Sequence, residues 1–228
     1  MTTAATALLC LIPAAYLLGS IPFGLLIART RGVDPRTAGS GNIGATNVGR
    51  LLGKKFFAIV FILDLLKGLL PTLTAAMILA HFRGPGTSCT ATDYLLWLLV
   101  AFAAVCGHMF SLFLKFKGGK GVATSAGIIL GVFPYFTLAG VVAIVLFLVL
   151  LKTTRYMSIA SMGGAISFTI AYIVLALVRH WPLLDQQLPL LVFSVLIAGM
   201  IVYKHRGNIA RLRAGTENQL GPKNPAAA

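Results

Sequence analysis

The sequence is poor in charged residues and in the residue types that bind metals. Charged residues account for 11% of its 228 positions, whereas 58% are hydrophobic and the mean hydropathy is +0.91. Such a composition is far more apolar than that of a soluble domain, and it indicates a membrane protein. The three cysteines have neither metal-binding nor redox spacing, and histidines, cysteines and carboxylates form no cluster. We therefore expect no metal and no other cofactor.

Long apolar runs predict most of the helices. About 20 apolar residues are needed to span a bilayer, and runs of this kind lie at residues 4–27, 56–80, 94–116, 156–178 and 188–203. No charge precedes Arg29, so the first run lacks the basic region of a signal peptide and is expected to be a retained helix. A polar turn is expected at residues 81–93, and a polar tail at residues 204–228.

Residues 122–151 are ambiguous between one long helix and a hairpin that turns at Pro134. One helix would be about 45 Å long at ~1.5 Å per residue, well over the ~30 Å of a bilayer core. A hairpin of two short helices, the fourth and fifth of the chain, gathers nearly all lysines and arginines on one side, Lys223 included. One helix would nearly abolish this asymmetry. Because basic loops stay in the cytoplasm, the charge distribution favours the hairpin.

The predicted fold is therefore an all-α integral membrane protein with seven transmembrane helices. The amino terminus is expected outside, and the polar tail from residue 204 onwards in the cytoplasm. Residues 1–228 are expected to form a single membrane-embedded domain.

The segment GSGNIGATNVGR at residues 39–50 has the composition of an anion-binding loop. Glycines allow turns whose backbone N–H groups point at a ligand, and a helix amino terminus adds partial positive charge. With Ser40, Thr46 and Arg50 nearby, phosphate or carboxylate is the expected ligand. The glycines also spell two nucleotide-binding patterns, but no strand precedes them, and Ala45 stands where a P-loop needs lysine. A flexible interhelical loop is the remaining alternative.

Two further polar segments fall on the same predicted face, KFKGGKG at residues 115–121 and HRGNIARLRAGTEN at residues 205–218. Glu217 could act as a general base, but a structural ion pair with the surrounding arginines is the better interpretation.

Asp64 and Lys67 lie well inside the second helix. They are either functional groups, as ionisable residues at that depth often are, or an ion pair between positions i and i+3.

Six segments, in this order, resemble the bacterial acyl-phosphate-dependent glycerol-3-phosphate acyltransferases. They are residues 19–24, 39–50, 64–68, 107–108, 115–121 and 205–218. The resemblance implies transfer of an acyl chain from acyl phosphate to the 1-hydroxyl of glycerol 3-phosphate, giving lysophosphatidate. It also implies a seven-helix protein of the bacterial inner membrane with a cytoplasmic active site. The partners would be the bilayer, the two substrates and a soluble enzyme that supplies acyl phosphate; no nucleic acid is expected.

In this family a phosphate oxygen of the donor is thought to accept the proton of the attacking hydroxyl, without a covalent enzyme intermediate. The protein would then contribute orientation and preorganised positive charge. By position, the resemblance assigns catalysis to Ser40, Arg50, Lys120, His205 and Asn208. Substrate binding is expected from Gly39, Gly41, Asn42, Thr46, Asn47, Lys67, Lys115, Lys117, Gly118, Gly119, Gly121, Arg206 and Arg211. Structural roles are expected for Asp64, His108, Glu217 and Asn218.

Two other functions are compatible with parts of the sequence. His180 and Asp185 spell H-x-x-x-x-D, which resembles the catalytic motif of another glycerolipid acyltransferase class. The predicted topology places this motif outside, away from the three anion-binding segments, so we interpret it as coincidence. A small-anion transporter would also need basic loops and buried charge. Against it, the polar segments crowd one face of the membrane.

Overall fold

The computed structural model describes residues 3–84 and 88–220, and it contains no strand within these two ranges. Lys223 and the rest of the tail beyond residue 220 lie outside the described residues, as does part of the predicted polar turn, residues 85–87. The helices are α1 Thr3–Ser20, α2 Phe23–Arg29, α3 Ala45–Leu52, α4 Lys54–Arg83, α5 Ala91–Met109, α6 Val122–Gly131, α7 Thr137–Thr154, α8 Met157–Val178, α9 Leu188–Lys204 and α10 Arg206–Arg213. A 3₁₀ turn at Leu112–Leu114 extends α5.

Five helical segments in the described part of the chain are long and apolar enough to cross a membrane. They are α1 with α2, α4, α5 with its 3₁₀ turn, α7 and α8. Helix α9 passes the same test only together with α10, from which it is bent by 52°. These segments confirm the all-α membrane fold. The ten residues of α6 extend only ~15 Å, about half a bilayer core, so the count of seven spans and the orientation stay predictions.

The structure corrects three of the predicted boundaries. The first predicted helix breaks at Pro22, one of the two prolines at which the sequence predicts a bend, and continues through the other, Pro13. The second half of residues 39–50, predicted as loop, is helix α3, whose Val48 is buried against Val60 and Ala28. The tail, predicted only as polar, begins with helix α10. Tertiary packing rather than local propensity decides such short helices.

The predicted break around Pro134 is present, between the end of α6 and the start of α7. Helix α6 packs mainly on α4, and α7 packs mainly on α8. A methyl group added at Gly68 of α4 would lie closer than 3.0 Å to the backbone oxygen of Thr124, and one at Gly127 of α6 would do the same to Leu65. The two backbones therefore approach closely, as small residues allow in membrane helices.

Helices α1 and α5 cross in the same way. A methyl group added at Gly19 of α1 would collide with the Ala104 carbonyl of α5, and one added at Gly107 of α5 would collide with the Tyr16 carbonyl of α1. Glycines in three of the six segments that resemble the acyltransferases, residues 19–24, 64–68 and 107–108, thus allow close helix packing. The packing of Gly68 on Thr124 holds the start of α6 against the middle of α4, and α6 begins directly after the second polar segment.

Candidate active site

The three polar segments meet around two adjoining cavities at one end of the helical bundle. The larger cavity is about 370 Å³ and the smaller is about 300 Å³. Four side chains line both of them: Ser40, Asn42, Lys120 and Asn208. The cavities therefore share a wall, to which all three polar segments contribute.

The two cavities differ in character. Besides polar groups at the shared wall, the larger cavity is lined by apolar side chains of α4 and α7: Phe57, Phe61, Phe147, Leu148 and Leu151. The smaller cavity is lined by glycines, the shared polar residues and four cationic side chains: Lys120, Lys204, Arg206 and Arg211. An apolar chain suits the first environment, and an anion suits the second.

Asn47 organises the first loop. Its side chain is almost completely buried, and its Oδ1 accepts a hydrogen bond from the Ser40 backbone N–H at 2.8 Å. Its Nδ2 donates to the carbonyl oxygens of Pro35, Ala38 and Asn42 at 2.9–3.0 Å. The polar atoms of Asn47 are thus used inside the loop, so it acts on Ser40 by shaping the backbone.

Glu217 gathers the third segment. Its Oε1 accepts hydrogen bonds from Ser158 Oγ at 3.0 Å and from Asn208 Nδ2 at 2.5 Å, and its Oε2 accepts from Arg211 Nε at 2.8 Å. Burial alone would raise the pKa of this carboxyl, but the three hydrogen bonds outweigh burial and lower its pKa below 4.5. An ionised carboxylate with three donors is a poor general base, which favours the ion-pair interpretation of Glu217.

Lys120 connects the second segment to the third. Its Nζ donates to Asn208 Oδ1 at 2.5 Å, so a chain of hydrogen bonds runs from Lys120 through Asn208 to Glu217. Burial is the main cause that lowers the pKa of Lys120, to about 8. Arg50 and Arg211 lower it further, and the Glu217 carboxylate opposes them. The ammonium group therefore lies at the shared wall in a site that favours the arrival of an anion.

Arg50 and His205 complete the larger cavity. Arg50 Nη2 donates to the backbone oxygen of Asn218 at 3.1 Å, so Asn218 contacts the site through its main chain. His205 is buried where α9 ends, with Nδ1 2.7 Å from the Ile201 carbonyl oxygen. Because that oxygen can only accept, Nδ1 carries the proton and the neutral ring has its acceptor at Nε2.

Most of the predicted site residues line a cavity, but several do not. Gly41, Thr46, Gly118, Gly121, Arg206 and Arg211 do so, as do the predicted structural residues Asp64, His108 and Glu217. Lys115 and Lys117 are exposed outside both cavities, and Lys67 is buried beside Asp64. Gly39 and Gly119 line neither cavity. The place that a Cβ atom would take is filled by the side chain of Asn47 at Gly39 and by that of His108 at Gly119. His180 of the H-x-x-x-x-D motif also lies outside both.

The structure adds residues that the sequence did not single out. Ser158 is one polar residue at the start of an apolar helix and gives no signal by itself. The five apolar side chains that α4 and α7 contribute to the larger cavity resemble ordinary lipid-facing residues in the sequence. Lys204 lines the smaller cavity and donates to the Met109 carbonyl oxygen at 2.8 Å. Its position directly before His205 is the feature of the sequence that could have indicated a place in the site.

Residues 8–215 match the protein-family model described as glycerol-3-phosphate acyltransferase. The chain belongs to this family. It is 45% identical to the glycerol-3-phosphate acyltransferase of Geotalea daltonii, over 93% of this chain and 97% of that relative. It is 41% identical to the one of Aquifex aeolicus, over 90% of this chain and 95% of that relative.

Solved structures of the family are similar over the same length. The glycerol 3-phosphate form of PlsY, an integral membrane glycerol 3-phosphate acyltransferase, superposes with a TM-score of 0.77 at 39% identity. The superposition covers 94% of this chain and 96% of the chain in that structure. The lysophosphatidic acid form gives a TM-score of 0.75 at 38% identity. These matches confirm the predicted family, the integral membrane fold and an acyltransferase role at the level of the family. They lend no support to an anion transporter.

Proposed function

We propose that the protein transfers a fatty acyl group from acyl phosphate to the 1-hydroxyl of glycerol 3-phosphate, releasing lysophosphatidate and phosphate. The observation that carries this proposal is the pair of cavities of opposite character with a shared polar wall. A reaction that joins a fatty chain to a small phosphate ester needs both environments, with the reacting atoms between them.

The fatty chain of the donor occupies the apolar part of the larger cavity. Phe57 and Phe61 form one side of it from α4, and Leu148 and Leu151 form the other from α7. Leu148 is also exposed on the outer surface of its helix, which supports entry of the chain from the bilayer. The acyl phosphate group then lies at the shared wall, near Ser40 and Arg50.

Glycerol 3-phosphate occupies the smaller cavity, where Arg206, Arg211, Lys204 and Lys120 surround its phosphate; Lys120 also faces the donor across the shared wall. Charge-assisted hydrogen bonds to phosphate are short and strong, and arginine can make two of them at once. Bound in this way, the acceptor presents its 1-hydroxyl to the acyl carbon across the shared wall. Such orientation converts an encounter of two molecules into a step within one complex.

In the reaction, the 1-hydroxyl oxygen forms a bond to the acyl carbon, and the bond from that carbon to the phosphate oxygen breaks. The leaving phosphate keeps the electron pair, and one of its oxygens takes the hydroxyl proton. Arg50, Lys120 and the Ser40 hydroxyl stabilise the charge that develops on the acyl oxygen and the phosphate. The three donors that hold Glu217 support this route, since they leave no free carboxylate there to act as base.

The proposed setting is the bacterial inner membrane, with the cavities on the cytoplasmic side, where glycerol 3-phosphate and a soluble enzyme that makes acyl phosphate are available. The basic residues of the loops and the tail support this orientation.

The test is acyl transfer by the purified protein in detergent, with labelled glycerol 3-phosphate and equal concentrations of acyl phosphate, acyl-CoA or acyl carrier protein. We expect labelled lysophosphatidate with acyl phosphate alone, and a near-complete loss of product in Ser40→Ala. Product from acyl-CoA or acyl carrier protein at a similar rate would reject the proposed donor. An absence of product with every donor would reject the function.

A further inference from the structure

Three buried ionisable side chains of α4 and α5 lie next to the cavities, and the proposed reaction uses none of them. Asp64 and Lys67 of α4 and His108 of α5 are each less than 5% exposed. Lys67 Nζ is 2.8 Å from Asp64 Oδ1, and His108 Nδ1 is 3.7 Å from the same oxygen. The first distance is a hydrogen-bonded ion pair, whereas the second is too long for a hydrogen bond. The ring of His108 is therefore placed by packing and by the charge of Asp64.

The ion pair is anchored on both sides. Lys67 Nζ also donates to the Ile21 carbonyl oxygen at 3.1 Å, at the break between α1 and α2. The Asp64 backbone oxygen accepts from Thr124 Oγ1 of α6 at 2.9 Å. These bonds tie α4 to the break between α1 and α2 and to α6, and the ion pair with Lys67 holds the Asp64 carboxylate in place.

His108 in turn supports the second polar segment. Its backbone oxygen accepts from the Gly119 N–H at 3.0 Å, and the next carbonyl, of Met109, accepts from the Gly118 N–H at 3.2 Å. The imidazole covers the open side of Gly119: a methyl group there would lie closer than 3.0 Å to the Nε2 and Cε1 atoms of His108. The imidazole thus fills the space that a side chain at position 119 would need. The cavities are lined by the neighbouring residues Gly118 and Lys120 and not by Gly119.

We propose that His108, which packs beside the Asp64–Lys67 pair, is a positioning residue that sets the place of residues 118–121 and thereby the affinity for glycerol 3-phosphate. The inference rests on the proposed function. It assigns the need for glycine at position 119 to contact with the imidazole, and not to the approach of a phosphate.

A pair of compensating substitutions tests this assignment. Gly119→Ala should raise the KM for glycerol 3-phosphate at least about fivefold, the low end of the cost of overpacking a close contact. The KM for acyl phosphate should stay unchanged, whereas a general folding defect would lower Vmax and raise neither KM. In the double variant His108→Ala/Gly119→Ala, the imidazole is absent and the new methyl group can occupy the space that it leaves. Its KM should fall back to that of His108→Ala alone.

Gly118→Ala provides the matched control. A methyl group on Gly118 would collide with the backbone oxygen of His108, which remains when the side chain is shortened. The double variant His108→Ala/Gly118→Ala should therefore show no recovery. If His108→Ala does not survive purification, His108→Ser is small enough to take its place.

Two outcomes would overturn the inference. One is a Gly119→Ala enzyme with a normal KM for glycerol 3-phosphate. The other is a His108→Ala/Gly119→Ala enzyme whose KM for glycerol 3-phosphate is clearly higher than that of His108→Ala alone, which would mean that the methyl group obstructs the substrate itself. An inactive wild-type protein would instead reject the proposed function, so the two failures are distinguishable.

Discussion

Loss of the charge on Lys120 at alkaline pH should weaken the binding of glycerol 3-phosphate. Burial lowers the pKa of this ammonium group from 10.5 to about 8. Because only the charged form attracts a phosphate dianion, raising the pH through 8 removes the attraction. A lysine with its ordinary pKa would stay charged over most of the same range.

The magnitude follows from the two pKa values. With a pKa of about 8, about 3% of Lys120 remains protonated at pH 9.5, against roughly 90% of a lysine at its ordinary pKa. If binding requires the charged form, the KM for glycerol 3-phosphate rises by about 30-fold between pH 7 and pH 9.5. Lys120→Arg keeps its charge throughout this range, and its KM should stay nearly constant.

The assay is initial-rate kinetics in detergent at saturating acyl phosphate, from pH 7 to pH 9.5. This range lies above the second pKa of a phosphate monoester, about 6, so the charge of the substrate is constant. A wild-type KM that is constant up to pH 9.5 would refute the reasoning. So would an equal rise in Lys120→Arg, since the titrating group would then be another one.

Two further predictions distinguish residues inside the cavities from those outside. Arg50→Lys keeps the charge but loses the planar fork, and Ser40→Ala loses a donor at the shared wall, so each should reduce kcat by about a hundredfold or more in a folded protein. Near-normal kcat in Arg50→Lys would mean that a point charge suffices. The double variant Lys115→Gln/Lys117→Gln should keep its KM for glycerol 3-phosphate within about twofold, because exposed charges outside a site contribute little. A tenfold rise would return both lysines to the binding site.

The sequence was sufficient for the class of fold and indicated which polar segments lie together, whereas the roles of their residues stay predictions. Apolar runs separated by basic, glycine-rich segments predicted a helical membrane protein, and Ser40, Lys120 and Asn208 were expected to act together. The structure places all three at one wall. This placement has a physical basis, because polar residues between membrane spans are few and collect at the ends of the helices.

The apolar half of the site could not be predicted. Phe61 or Leu148 in a spanning helix looks the same in a sequence whether it faces lipid, a neighbouring helix or a cavity. Glycine has a related ambiguity: it shows that a side chain does not fit, but not which atom excludes it. At positions 39 and 119 the excluding atoms belong to Asn47 and His108.

The central claim is that the donor chain and the acceptor phosphate occupy separate cavities that meet at one wall. It is tested most directly by measuring the KM for both substrates in two variants, each changed in one cavity only. Leu151→Trp fills part of the apolar cavity, and Arg206→Gln removes a cation from the basic one. We predict that Leu151→Trp raises the KM for acyl phosphate alone and that Arg206→Gln raises the KM for glycerol 3-phosphate alone. Equal effects of either variant on both substrates would contradict the account.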